Sequence, residues 1–391
     1  MDVELCVFEL LFGLELRGLW RRWVRRLFVN GWPEGVGLGW RPETALWVER
    51  WTGSFTEVVA ESIDPERIPQ ALLDLVERGI SVLPHGVSLS LGSAEPLDEA
   101  RARRLARLAA RLSSPLVSEH VSFCRAGGVE IGHLTPVPMT RASIRALVDN
   151  VKRLQDWVGL PVALENIAGL FEWPGAELGE PELISEVLDR TGAWLLLDLA
   201  NLYASSVNHG FDAVEAFARY PLERLAYAHV AGGVKRGALY YDTHAHPVSA
   251  ALTLVTQLAR RVEAPAILLE RDHDFPTGVE LLGELAAIES AARVEVERRE
   301  VYAPPRPEQS EAGSEQLTHA QAVLARTLVS SGPIPAEWDA ARIQASRELL
   351  EAKKRKDHDR GDRLRRLDRR SGRIKGVADC VRTGLRRLFV R

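Results

Sequence analysis

The chain has 391 residues, 46% of them apolar, which is enough to bury the core of one large domain or two medium ones. Its three cysteines, Cys6, Cys124 and Cys380, lie far apart without a CxxC spacing. That spacing argues against a disulfide framework or a zinc finger and favours a reducing cytoplasm. The formal charge of -4 conceals a basic end, because residues 353–391 hold 16 Lys or Arg and 5 Asp. The remaining body is acidic, which argues against a nucleic-acid partner, since phosphate binding needs Lys and Arg on the binding face.

Residues 1–34 form an N-terminal extension that begins MDVELCVFELLFGLELRGLW. Glu4, Glu9 and Glu15 and then several arginines interrupt its apolar residues. A membrane span needs about 20 largely apolar residues and a secretory signal places its positive charge first, so neither fits. An amphipathic helix at a membrane surface, a plain extension and a wrongly assigned start codon stay open as alternatives.

Between residues 35 and 295, short apolar runs alternate with segments of helical period such as 98–112 and 141–158. The runs are eight in number and cover residues 36–40, 55–62, 80–89, 115–121, 161–167, 193–199, 225–230 and 265–272. Strands that alternate with helices indicate a parallel sheet, and eight units in roughly 260 residues match a closed (β/α)8 barrel. The first run is not followed by GxGxxG, which argues against a doubly wound dinucleotide-binding sheet.

The composition changes after the predicted barrel. Residues 296–316 include YAPPRPEQSEAGSE, whose Pro, Glu, Ser and Gly are typical of a linker. Two amphipathic helices are predicted beyond it, at 317–331 and 335–354, and make a helical extension of 317–355. Residues 356–391 form a basic tail, for which a solvated segment is favoured over a nucleic-acid or membrane contact.

Residues able to bind metal ions fall repeatedly at the ends of the predicted strands, and six of the ten histidines lie there or in the loops that follow. The active site of a (β/α)8 barrel forms at this end of the strands. The candidate metal ligands are His85, Glu119, His120, Glu165, Asp198, Asn201, His209, His229, Asp242, His244 and Glu270. Glu165, His120 and Asp198 are our candidates for catalytic residues.

Several carboxylates that converge on one cavity repel one another unless cations compensate them. Imidazole and carboxylate ligands without thiolate suit iron, zinc or manganese, and the number of candidates exceeds what one ion needs. The sequence therefore predicts a site for two or three metal ions. Asn166 and Asn201 are either ligands or orienters of their neighbours. Glu57 faces either the barrel interior or solvent, and Cys124 is interpreted as a buried, inert thiol.

The ordered series LPHGVSLSLG, SEHVSF, LENI, LLLDLANLY, VNHG, AHVAGG, DTHAHPV and LLERD resembles the DUF692 family of multinuclear non-haem iron enzymes. The resemblance covers about residues 35–292. The family includes oxidases of the methanobactin-biosynthesis type. It implies a (β/α)8 barrel that binds two or three irons of mixed Fe2+/Fe3+ state and uses O2 as co-substrate. It also implies a cysteine-containing, ribosomally made precursor peptide as substrate and a small partner protein that recruits it.

Under this resemblance Glu165 is a bridging carboxylate, while Glu119 and His209 are further members of the ligand set. Glu119 stands where many relatives have Asp, and its longer arm either shifts an ion or places the carboxylate behind the ligands. Oxidation of the substrate cysteine is the implied chemistry.

Two other interpretations stand beside this one. Zinc or manganese hydrolases and isomerases of the endonuclease IV or xylose isomerase type have similar rings of carboxylates and histidines. The second alternative is a non-catalytic scaffold that stores metal. The predicted helices at 317–354 are expected to dock, or to replace, the protein that recruits the peptide.

Overall fold

The structure, a computed structural model, describes residues 31–50, 53–296 and 314–371, with side chains from 315 to 355 in the last range. Eight parallel strands close into a barrel in the order β1, β12, β9, β8, β7, β4, β3, β2, with β1 also paired to β2. These strands are β1 (Val36–Trp40), β2 (Phe55–Val59), β3 (Ser81–His85), β4 (Val117–His120), β7 (Val162–Glu165), β8 (Trp194–Asp198), β9 (Leu225–Val230) and β12 (Ile267–Leu269). The predicted (β/α)8 barrel is confirmed, and each predicted run contains one of these strands.

Two antiparallel hairpins project from the strand ends and were not predicted. The first is β5 (Ser122–Ala126) with β6 (Val129–Pro136), and the second is β10 (Val234–Arg236) with β11 (Leu239–Tyr241). The turn of the first consists of Gly127 and Gly128, both with positive φ, as two-residue hairpin turns require. A Gly-Gly pair in RAGGVEI is the sequence signal for this hairpin.

Of the described helices, nine follow the strands of the barrel and two come later in the chain. Their bounds are α1 (Ala45–Arg50), α2 (Gln70–Glu77), α3 (Glu99–Arg111), α4 (Arg141–Val158), α5 (Glu180–Thr191), α6 (Leu199–His209), α7 (Ala213–Phe217), α8 (Leu252–Arg261), α9 (Gly278–Ala292), α10 (Ser314–Val329) and α11 (Ala340–Ser371). Side-chain caps fix several starts: Asp98 accepts from the Arg101 amide before α3, and Thr277 forms a capping box with Glu280 before α9. None of the described helices combines the length and apolarity that crossing a lipid bilayer requires.

The interior of the barrel contains an apolar layer, here called the lower layer, near the amino ends of the strands. Its buried members are Phe55, Leu83, Leu116, Ala163, Leu196, Ala226, Tyr227, Ala266 and Leu268. Side chains of a strand alternate between faces, so the residue two positions beyond a lower-layer residue also points into the barrel. The positions of the lower-layer residues therefore show which later residues of each strand face the barrel interior.

Helix α10 packs on the barrel unit, mainly on the β5–β6 hairpin. The Gln321 side chain donates to the Gly92 carbonyl at 2.7 Å and accepts from the Ala94 amide at 2.8 Å. Further along, Trp338 packs edge-on against Trp173. Residues of the predicted extension thus complete the first compact unit, which ends at Asp339.

The second unit begins at Ala340, and its described part is α11. The helix that we predicted over 335–354 begins later, at Ala340, and ends later, at Ser371. Pro335 accepts a turn hydrogen bond from the Trp338 amide before the helix begins. Residues 356–371, which we assigned to a solvated tail, continue the helix, because Arg, Lys and Leu are good helix formers and the segment has no proline. Residues 1–30, 297–313 and 372–391 of the predicted extension, linker and tail lie outside the described residues.

Candidate metal centre

The candidate metal centre lies directly above the lower layer, at the carboxyl ends of the same strands. Seven strands place a polar side chain two positions beyond a lower-layer residue. We call these seven the upper layer: Glu57, His85, Ser118, Glu165, Asp198, His229 and Glu270. All are buried, with at most 4% of each residue exposed. A layer of acids and imidazoles with so little water is costly unless other charges compensate it.

The first group of potential ligands consists of His85, His120 and Glu165. Glu165 Oε2 lies 3.4 Å from His85 Nε2 and 3.3 Å from His120 Nε2. The other nitrogen of each ring has its own partner: His85 Nδ1 lies 2.9 Å from the Ser118 hydroxyl, and His120 Nδ1 lies 3.1 Å from the Gly86 carbonyl. Both Nε2 atoms therefore face the same space as the carboxylate.

The second group consists of Glu165, Asp198, His229 and Glu270. His229 Nδ1 lies 3.2 Å from both Glu165 Oε1 and Glu270 Oε2, and 4.0 Å from Asp198 Oδ2. Asp198 uses its other oxygen to cap α6, where it accepts from the amides of Ala200 and Asn201. Its Oδ2 atom is left to face the group.

The third group consists of His244, Glu270 and Asp272. His244 Nδ1 lies 3.2 Å from Glu270 Oε2 and 3.6 Å from Asp272 Oδ2. Arg41, at the end of β1, donates to Glu270 Oε1 at 2.9 Å and to Asp272 Oδ1 at 2.8 Å. The guanidinium thus holds one oxygen of each carboxylate and leaves the other facing His244.

His244 connects the third group with Asp242 and Asp198. Its φ of 47° is left-handed, a conformation that few non-glycine residues adopt. Its Nε2 atom lies 2.5 Å from Asp242 Oδ2 and 3.5 Å from Asp198 Oδ2. The side chains of His244 and Asp272 are 14% and 35% exposed, so the third group lies closest to solvent.

The three groups are linked because Glu165 belongs to the first and second and Glu270 to the second and third. A cation bound at about 2.1 Å holds its adjacent ligand atoms about 3.0–3.4 Å apart. The spacings of 3.2 to 3.4 Å around Glu165 fall in that range. Glu165 Oε2 and Asp198 Oδ2 are also buried without a hydrogen-bond partner among the described residues. The donor set therefore fits metal ions.

The pKa values show how the site is charged without a bound cation. Burial alone would lower the pKa of His120, but Glu165 and Glu119 raise it to about 9. Burial raises the pKa of Asp198 to about 8, and the nearby Asp242 adds to the effect. Burial opposes ionisation of Glu165, yet His229, His120 and His85 lower its pKa to about 2. Protons at His120 and Asp198 thus occupy positions from which a metal ion would displace them.

The structure brings together most of the predicted ligands, namely His85, His120, Glu165, Asp198, His229, His244 and Glu270, with Asp242 beside His244. Glu119 takes the position behind the ligands. Its Oε2 accepts from the Leu89 amide at 2.9 Å and its Oε1 lies 3.2 Å from His120 Nδ1. Glu119 therefore orients the His120 ring, as carboxylates commonly do for metal-bound histidines.

The side-chain amides of Asn201 and Asn166 connect the carboxyl ends of β7 and β8. Asn201 Nδ2 donates to the Asn166 carbonyl, and Asn166 exchanges two hydrogen bonds with the Asp198 backbone. His209 is not brought together with the groups. It ends α6, roughly 15 Å along the helix axis from Leu199. There its Nε2 atom lies 2.9 Å from the Gly169 carbonyl.

Four residues at the site were missed by sequence reasoning. Asp272 follows Glu270 in LLERD, and an acid at that strand end was a usable signal. Glu57 was left undecided, although strand alternation places it above Phe55. Arg41 and Tyr227 gave no signal, because one arginine or tyrosine in an apolar run has many structural uses.

Cys124 is the free cysteine of the described chain and is buried. Burial raises the pKa of its thiol to about 11, with Glu119 adding to the effect. Its backbone amide donates to the Ser90 hydroxyl and its thiol contacts the Ser88 carbonyl, so its partners lie in the loop after β3 and not in the metal groups. The thiol is therefore protonated and inert, in agreement with our interpretation.

The closed barrel and its three linked groups define the chain as a (β/α)8-barrel protein with a His/carboxylate cluster that can bind metal ions. Residues 35–293 match the model of the family described as RiPP precursor modification enzyme MbnB/TglH/ChrH. The chain belongs to this family, whose enzymes modify ribosomally made peptides, and the DUF692-type resemblance is confirmed.

Relatives carry the name UPF0276 protein. One from Streptomyces avermitilis is 47% identical over 263 residues, which are 65% of this chain and 54% of the relative. One from Caulobacter vibrioides is 35% identical over 64% of this chain and 92% of its own length. The chain thus spans about half the length of the Streptomyces relative it matches.

Among solved structures, endonuclease IV from Thermus thermophilus is similar at 19% identity and a TM-score of 0.44, over 66% of this chain and 99% of that one. D-psicose 3-epimerase from Clostridium cellulolyticum is similar at 12% identity and a TM-score of 0.42, over 66% of this chain and 96% of that one.

Proposed function

We propose that the chain is an iron-dependent enzyme that uses O2 to modify cysteine residues of a ribosomally made precursor peptide. The single observation that supports this most strongly is the sharing of Glu165 and Glu270 among three ligand groups. Shared carboxylates favour two or three ions held close together over one isolated ion. Membership of a peptide-modifying family supplies the substrate class.

The donor set consists of imidazole and carboxylate without thiolate, which suits iron, zinc or manganese. Of these, iron in a mixed Fe2+/Fe3+ state provides the redox chemistry that cysteine oxidation by O2 requires. His85, His120 and Glu165 would hold one ion, and Asp198, His229 and Glu270 with Glu165 a second. His244, Glu270 and Asp272 would hold a third.

The protein's own groups have distinct tasks in this proposal. Glu165, buried and ionised, keeps the first two groups together. Glu119 orients His120, and Arg41 orients Glu270 and Asp272. Asp198 caps α6 with one oxygen and presents the other to the centre. Pre-oriented ligands of this kind lose little freedom when they bind an ion.

The peptide would approach at the third group, which lies closest to solvent. A cleft of about 400 Å3 lies beside the first group, between the end of β2, the loop after β3 and α3. Gly86 lines this cleft, and its carbonyl contacts His120. Glu61 and Arg101 also line it and offer both signs of charge to a peptide. A cytoplasmic location, which keeps the substrate thiol reduced, and a small peptide-recruiting partner belong to the same proposal.

The test supplies anaerobically purified, Fe(II)-reconstituted full-length protein with O2 and with the cysteine-containing peptide encoded nearest its gene. Mass spectrometry should detect a changed peptide mass with the wild type and no change with a folded His120→Ala variant. Unchanged peptide together with O2 consumption at the buffer rate would refute the proposal. Stoichiometric zinc in a colourless, oxygen-indifferent protein would favour a hydrolase instead, and full activity of His120→Ala would argue against this centre.

A further inference from the structure

A continuous series of hydrogen bonds connects the lower layer, at Tyr227, with the upper layer, at Ser118 and Glu57. It consists of Ser118, Tyr227 and Glu57, contributed by three different strands. Each of these residues has 0% of its surface exposed. Bulk solvent does not reach these contacts, so the protein supplies the donors and acceptors described below.

The number of protons available determines which group donates in each of these hydrogen bonds. The Tyr227 hydroxyl lies 2.6 Å from Glu57 Oε2 and 2.8 Å from the Ser118 hydroxyl. A phenol has one proton, and the Glu57 Oε2 atom accepts it, so Tyr227 has none left to donate to Ser118. The Ser118 proton is then directed to the Tyr227 oxygen. Ser118 consequently accepts from His85 Nδ1, 2.9 Å away.

This direction fixes the tautomer of His85. With its proton on Nδ1, the ring has a lone pair on Nε2, the nitrogen that faces Glu165 Oε2 in the first group. Only that nitrogen can bind a metal ion in this orientation, because the other is occupied by its proton and by Ser118.

The same carboxylate acts directly on the second group. Glu57 Oε2 lies 3.0 Å from His229 Nε2, while His229 Nδ1 faces Glu165 and Glu270. A proton on Nε2 leaves the lone pair of Nδ1 for a metal ion. Glu57 Oε1, also buried, has no hydrogen-bond partner among the described residues. A buried carboxyl group with one oxygen left unpaired is costly, so its position is set by the hydrogen bonds of the other oxygen.

We propose that Glu57 is a positioning residue that fixes the metal-binding tautomers of two histidines at once, of His229 directly and of His85 through Tyr227 and Ser118. The inference rests on the proposed metal centre but not on iron, on O2 or on the peptide. Partners behind the ligands usually contribute about ten- to hundredfold to metal affinity. Glu57 differs from an ordinary partner because its loss affects two groups together.

The experiment uses Zn(II), a diamagnetic probe, with full-length protein labelled with 15N at histidine. Competitive titration with a chelator measures affinity, and NMR detects ring N–H protons protected from exchange. Wild type should show protected protons on His85 Nδ1 and His229 Nε2. In Glu57→Gln both signals should be lost and Zn(II) affinity should fall about ten- to hundredfold. Tyr227→Phe and Ser118→Ala should lose the His85 signal alone and weaken binding by a smaller factor.

The protein offers a control at a second tyrosine–carboxylate pair, which is partly buried and lies outside the barrel. The Tyr220 hydroxyl donates to Glu180 Oε2 at 2.5 Å, between α5 and the segment after α7. Tyr220→Phe and Glu180→Gln make the same chemical changes away from the centre and should keep wild-type Zn(II) affinity and histidine signals.

Wild-type affinity and both protected signals in Glu57→Gln would overturn the inference. If that variant does not fold, an unchanged His85 signal in Tyr227→Phe and Ser118→Ala overturns it instead. Wild-type protein that binds no Zn(II) would refute the proposed centre itself, a different result from either of these.

Discussion

The lower layer of the barrel interior is apolar, whereas the upper layer, two residues further along the same strands, consists of acids, imidazoles and one hydroxyl. Leu196 and Asp198 illustrate the contrast, since both are 0% exposed and point into the same cavity. The lower residue gains free energy from burial, and the upper one has its pKa raised to about 8 by it. The lower layer thus stabilises the fold, and we expect bound cations to offset the cost of burying the charged groups of the upper layer.

The largest expected effect comes from Glu165→Ala, which removes the carboxylate shared by the first two groups. Metal binding should weaken by more than about hundredfold, beyond the usual effect of a partner behind the ligands. The bound-metal count measured by mass spectrometry should fall by more than one ion per chain. Loss of a single ion would mean that the first two groups are independent.

Leu196→Ala tests whether the lower layer stabilises the fold independently of metal binding. Removing this buried side chain should cost about 2–5 kcal/mol of unfolding free energy, because a cavity remains in the lower layer. Denaturant unfolding measures the loss. Protein that is still folded should bind the wild-type number of metal ions, and a proportional loss of metal would show that the two layers do not have separate roles.

The contrast also predicts how the stability of metal-free protein depends on pH. The pKa of His120 is raised from 6.5 to about 9, so its stabilising contribution is complete below pH 6.5 and lost as pH rises to 9. The pKa of Asp198 is raised from 3.8 to about 8, so the folded state is progressively disfavoured as pH rises between these values.

His120 and Asp198 both make the folded state less stable as pH rises. The Tm of metal-free protein should therefore fall by several degrees between pH 6.5 and 9. Each kcal/mol corresponds to about 2–4 °C for a domain of this size. Differential scanning calorimetry with and without Zn(II) measures the difference, and Zn(II) should stabilise most at the alkaline end. A Tm of metal-free protein that rises with pH would contradict the assigned protonation.

The smallest expected effect is that of His209→Ala. This residue contacts the Gly169 carbonyl and not the upper layer, so metal content should stay at the wild-type value. Loss of one hydrogen bond should cost only about 1 kcal/mol. A lost metal ion would place His209 in the ligand set, where the sequence resemblance expects it.

Much of the fold and the centre was predictable because both depend on one periodic pattern. Apolar runs that end in His, Asp or Glu indicated the strands and the edge where His85, His120, Glu165 and His229 meet. The roles of Glu119 and His209 were not predictable in this way, because they depend on where a side chain or helix leads after the strand ends. The second hairpin and the Glu57–Tyr227 contact depend on long-range packing, which local pattern does not encode.

The central claim is that shared carboxylates hold two or three metal ions in one pocket. It is tested most directly by reconstituting anaerobic protein with 57Fe(II), counting the ions per chain and recording Mössbauer spectra after partial oxidation. We expect two or three irons per chain and an exchange-coupled pair, since Glu165 joins two groups. One magnetically isolated iron per chain, or none, would contradict the account.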